Sequence, residues 1–179
     1  MITLSRTKAL QRLAELREDF RSFIVANYEH RAKDCTTCET KGACCLDAHF
    51  VNVRISRLDA EAICAVIDDL PLDRRNSLHA RVDETVERFG LNDGGYATYS
   101  CPLFEQSEGC LVHQDAKPFA CIDHACYERM EDVPPDGLLA AQEILVDKLN
   151  RQTYGSGQAW LPIPVAIQRI RSATGKALE

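Results

Sequence analysis

The sequence predicts a mainly helical α+β fold, in which helices and a few short antiparallel strands surround an irregular cysteine-rich core. Three observations carry this expectation. Stretches near both ends repeat apolar residues at spacings of three and four, the strand-like alternations are short, and eight of the nine cysteines lie in two patches without periodicity. At 179 residues the chain fits one domain and can bury a core without covalent staples. That domain divides into an N-terminal helix at 1–34, a cysteine core at 35–130 and a helical extension at 131–179. Its 45% hydrophobic and 27% charged residues are an ordinary globular balance.

From Leu4 to Arg31 the pattern is helical. Leu10, Leu13, Leu16, Phe20, Phe23 and Ile24 form one stripe, with Arg12, Glu15, Glu18 and Arg21 between them. The cysteine-rich stretch from Cys35 to Cys45 has no period and reads as a loop around Gly42. Phe50 to Ile55 alternates like a short, half-buried strand. Ser56, followed by Asp59 and Glu61, is an N-cap signature for a helix from Arg57 that turns Ala60, Ile63, Cys64 and Ile67 inward and stops before Pro71. A third helix runs from Asp73 to Phe89 and ends at Gly90. These two helices are expected to fold back as a hairpin and return the chain to the first cysteine patch.

Asn92 to Gly95 is a turn, and Tyr96 to Tyr99 reads as a strand leading into Cys101-Pro102. Glu108-Gly109 is a second turn, after which Cys110 to His113 pairs back in a small hairpin. Lys117 to Cys126 is irregular or helical. After Pro134-Pro135, an amphipathic helix begins at Asp136-Gly137 and carries Leu138, Leu139, Ile144, Leu145 and Leu149. Gly155 to Gly157 links it to an extended stretch around Pro162 and Pro164, and a last helix covers Val165 to Ser172.

The formal charge of −6 argues against a nucleic-acid or anionic-membrane partner. No stretch approaches the roughly 18 consecutive apolar residues of a membrane span. Met1 to Phe20 has no apolar h-region, so no signal peptide is expected and the compartment is expected to be the cytoplasm. There thiols stay reduced, and closely spaced cysteines read as metal or redox ligands before they read as disulfides. The odd count of nine agrees with this.

The candidate ligands are Cys35, Cys38, Cys44 and Cys45 in the first patch and Cys101, Cys110, Cys121 and Cys126 in the second. A thiolate site needs about four soft ligands, and a C-x-x-C step supplies a two-ligand claw that distant segments complete. Spacing alone does not choose the metal. Eight thiolates without a Cys₂His₂ pattern favour an iron–sulfur cluster such as [4Fe–4S], with zinc as the alternative. Either centre leaves a net charge of about −2, which Lys33, Lys41, Arg54, Lys117 and Arg129 flank in sequence. His49, His113 and His124 are candidate substitute or supporting ligands, whereas His30 and His79 read as helix-surface residues. Cys64, between Ile63 and Ile67, reads as core filler. No cysteine is marked as a nucleophile, so no catalytic residue is assigned and enzyme activity stays open. The C-x-x-C pair also lacks the βαβ surroundings of a thiol–disulfide oxidoreductase.

Taken in order, these residues resemble the YkgJ-type cysteine-cluster family, described as zinc- or iron-chelating and marked by a CxxCxxCC-like loop. The matching pieces are Cys35-x-x-Cys38 with Gly42-Ala-Cys44-Cys45, then Val53 to Ser56 with Asp59 and Glu61. Cys101-Pro102-Leu103-Phe104, Gly109 to His113, and Lys117-Pro118-Phe119-Ala120-Cys121 follow. The likeness covers about residues 35 to 126. The step from Cys38 to Cys44 is longer than in the family pattern, and Lys117 and His113 stand where arginine and tyrosine are usual. The resemblance implies metal chelation, with iron–sulfur first. A related region in flagellin lysine N-methylases makes methyl transfer to protein lysine an activity it admits, although the chain has no glycine-rich loop for a methyl donor. A protein partner is left open.

Overall fold

A computed structural model describes residues 3–33, 42–46, 51–92, 94–106, 108–155 and 158–175. Helix α1 spans Arg6–Asn27, shorter at both ends than the apolar stripe implies. Ser5 caps it by accepting the Lys8 N–H, and a 3₁₀ turn at Glu29–Arg31 takes over at the other end. Ala9, Leu13, Phe20 and Ile24 face inward, and Phe23, at the stripe's edge, is 43% exposed. Arg17 is buried in the same stripe because its guanidinium meets Asp59 at 2.7 Å.

Strand β1 (Arg54–Ile55) leads into α3 (Arg57–Asp68). The helix starts where the sequence places it, since Ser56 and Asp59 form a reciprocal capping box. Leu58, Ala60, Ile63 and Ile67 are buried, while Cys64 is half-buried against the core. Helix α4 (Leu72–Arg88) turns Leu78 and Val82 inward. Helix α6 (Asp136–Tyr154) buries Val146, Leu149, Asn150 and Thr153 but leaves Ile144 and Leu145 exposed, against the apolar pattern. A polar anchor helps choose this face: the Asn150 side chain accepts the Leu58 N–H at the start of α3, satisfying one of that helix's orphan donors. Strand β4 (Leu161–Pro162) runs directly into α7 (Ile163–Gly175), which is longer than the expected helix at both ends.

There are two small antiparallel sheets among the described residues. β1 pairs with β4, Arg54 opposite Pro162 and Ile55 opposite Leu161. β2 (Phe104–Glu105) pairs with β3 (Gly109–Cys110), Phe104 opposite Cys110. Of the strand expected over residues 50–55, only the last two pair as strand among the described residues. Tyr96 to Tyr99 is not a strand. Tyr99 is instead plugged into the core: its N–H donates to Val51 O, and its hydroxyl donates to Val53 O and accepts from Ile163 N–H.

Two apolar cores result. One joins α3, α4 and α7 to both sheets and includes Val51, Tyr99, Leu103 and Val112. The other joins α1, α6 and the short helix α5 (Phe119–Asp123), with Leu58 of α3 reaching into it. Each large apolar side chain so buried stabilises the fold by roughly 1.5–3 kcal/mol. The expected hairpin of α3 on α4 does not form; α7 packs against both and is the principal neighbour of each. No helix among the described residues is long and apolar enough to cross a membrane.

Candidate metal centre

Cys44 and Cys45 lie on α2 (Ala43–Leu46), a single helical turn where an open loop was expected. Gly42 makes the turn feasible. Its φ is +76°, and a Cβ there would overlap the Phe104 ring, so only glycine lets α2 sit against the β2–β3 hairpin. The returning chain docks on the same turn: the Cys101 N–H donates to Cys45 O at 2.8 Å and the Ser100 hydroxyl to Leu46 O at 2.9 Å.

The second patch is positioned from two sides. Phe104 N–H donates to Cys101 O and His113 N–H to Cys110 O, closing a tight turn at each cysteine. The Leu103 and Val112 amides donate to the sulfurs of Cys101 and Cys110, the backbone arrangement that suits a thiolate. Arg74 and Arg81 of α4 clamp the hairpin, each 2.8 Å from Glu105, with Arg74 also on Glu108. Cys121 is carried by α5, which Phe119 and Ile122 bury against α1; the Phe119 and Phe20 rings lie 5.8 Å apart.

These supports bring five cysteines of the two patches together. The charge of Cys44 acts on Cys101, Cys110 and Cys121, and those of Cys101 and Cys110 act on Cys45. Each residue is half-buried, yet enough protein surrounds the sulfurs to move their proton affinities. Burial pushes Cys101 and Cys110 up and carries Cys121 to about 12. The Cys45 thiol donates to Cys44, which with the charges of His124 and Lys117 draws Cys44 down to about 6 against its burial; the same bond holds the proton on Cys45. The cluster thus offers one ready thiolate and four thiols that ligation would deprotonate.

Among the described residues, no three His, Cys, Asp or Glu side chains already stand in a metal-holding arrangement. Cys35 and Cys38 lie outside the described residues, as do Lys41 and His49. Cys126 accepts the Lys33 N–H on its carbonyl, and Ala32 bridges Tyr127, so the chain just before residue 34 runs beside Cys126. Cys64 is set apart. Burial, then Asp68 and Glu61, raises its thiol to about 12, and these are α3 neighbours. Of the flanking cations, Lys117 acts on Cys44, Cys110 and Cys121. Arg54 instead donates to Trp160 O and Gly95 O, Lys33 pairs with Glu128, and Arg129 with Glu131 and Asp132.

A cleft of about 800 Å³ runs between β1, α6 and Trp160, and Ala120, the neighbour of Cys121, forms part of its wall. Asn52 lines it with a buried Oδ1 that has no hydrogen-bond partner, and Glu143 and Arg151 supply opposite charges. No sequence motif marks this cleft, because its walls come from segments about a hundred residues apart. No protein-family model, curated protein or solved structure matches the chain.

Proposed function

We propose that this is a metal-binding protein whose cysteines hold an iron–sulfur cluster in a redox or metal-handling role. The observation that carries the reading is the convergence of five thiols from four separate segments: α2, the Cys101 turn, β3 and α5. A structural core gains little from five thiols within electrostatic reach of one another, four of them raised in part by burial, whereas soft metal ions select this donor set. Cys35, Cys38 and Cys126 remain the further ligand candidates, and the YkgJ-type resemblance points the same way. The reading belongs with the reducing cytoplasm.

Protein purified without oxygen is expected to be brown, with broad visible absorption and matching iron and sulfide. A colourless preparation that contains zinc, and takes up no iron on anaerobic reconstitution, would replace this reading with a zinc-stabilised structural or protein-interaction module. One observation favours a second reading, a cluster-dependent enzyme such as a relative of the protein lysine N-methylases: the 800 Å³ cleft reaches Ala120, one residue from Cys121, and a substrate there would lie near the cysteines.

A further inference from the structure

A second, smaller pocket of about 160 Å³ lies between α1 and the segment from His113 to Ala125, on the Lys117 side of the cysteines. Its walls differ in kind. Ile24 and Ile122, both nearly fully buried, and Val25 and Ala125 make one side apolar. Lys117 and Arg21 make the other cationic, with His113 and His124 between them. The Arg21 guanidinium is fixed in place, since its Nη2 donates to His113 O at 2.6 Å and Gln114 O at 3.0 Å. The local potential is positive: after burial, the charges of Lys117 and Arg21 are what most disfavour a proton on His113. Glu29, exposed on the same rim, offsets one charge.

Lys117 and Arg21, set against the one carboxylate of Glu29, leave a cationic edge facing an apolar wall. The volume is well below the roughly 300–1,000 Å³ of a site for a drug-sized ligand. We propose that this pocket binds a short organic carboxylate, its charge held by Lys117 beside Arg21 and its hydrocarbon end against Ile24, Val25 and Ile122. A ligand with no apolar part would leave that wall wet. The proposal does not depend on which metal the cysteines hold.

Isothermal titration of sodium butyrate into the full chain, with metal content measured on the same sample, tests it. Saturable one-site binding is expected, weakened about tenfold or more in Lys117→Met, the loss of one charge-assisted contact. Glu29→Gln should bind butyrate more tightly, a response that a purely structural role for this rim would not produce. Val25→Asp, at a half-exposed position that disturbs no core, should bind more weakly. Absence of saturable butyrate binding, or a Lys117→Met protein that binds as the parent does, overturns the proposal. So does inorganic phosphate binding more tightly than butyrate.

Discussion

At Cys101, Cys110 and Cys121 the surrounding protein favours the thiol over the thiolate, and this sets a sign for the pH response. A folded-state value raised above the ordinary 9.0 means that the metal-free fold holds these protons more tightly than the unfolded chain does. Their contribution to stability is therefore complete below about 9 and is lost as pH climbs toward 12, the value at Cys121. A metal must displace the same protons, so its affinity moves the other way, rising about tenfold per pH unit for each proton released. Competition titrations with Zn²⁺ between pH 6 and 8 should show affinity climbing steadily with pH. An affinity independent of pH over that span would remove the protonated cysteines from the ligand set. Cys64 illustrates why residue type alone misleads: burial raises its thiol to a similar degree, but the charges that add to burial there are Asp68 and Glu61 rather than other cysteines.

Among the elements, α1 is tied to α3 by charge as well as by apolar contact. Asp59 accepts from Ser56 in the capping box and from Arg17 at 2.7 Å, with both members of that ion pair almost fully buried. Truncating one partner leaves the other charge buried and unpaired, which typically costs about 3–5 kcal/mol, more than a lost cap alone. Asp59→Ala should accordingly lower the unfolding free energy by that order in urea titration, and adding Arg17→Met should restore part of it. If the single variant costs no more than a cap, and the double variant recovers nothing, the pair does not anchor the helix. The link bears on the site, because α1 also backs α5 through Phe20 and Phe119 and so helps place Cys121.

Across the whole molecule, the structure brings described cysteines of the two patches within electrostatic reach of one another. Cys44 and Cys121 lie on different short helices, braced by different partners, yet their charges interact. A single shared centre predicts that Cys44→Ser and Cys121→Ser each lose most of the bound metal and the native near-ultraviolet circular dichroism. Two independent sites predict instead that each variant keeps about half its metal and its native signal. Metal analysis beside the spectrum separates the outcomes, and retention of half the metal in both variants would sink the shared centre.

By itself the sequence determined what local chemistry decides. The capping box at Ser56 and Asp59 started α3 at Arg57, Pro71 separated it from α4, and the turn signal around Glu108-Gly109 marked the hairpin that carries Cys110. Gly109 itself pairs as strand, however, and Leu111 to His113 are turn rather than the expected strand. The cysteine patches were visible as composition and spacing. Only the tertiary structure decided which faces are buried and which patches meet, because those depend on groups far apart in the chain. The α6 face followed Asn150 reaching the α3 amide rather than the apolar count that included Ile144 and Leu145. The place opposite α3 and α4 went to α7, which brings its own apolar surface and a strand that pairs with β1. The meeting of Cys44 with Cys101 and Cys121 rests on a hydrogen bond from Cys101 to Cys45, a glycine under the Phe104 ring, and α5 held by α1. Each is a contact between segments that no periodicity or spacing encodes, since periodicity reports only what one element buries and not against what.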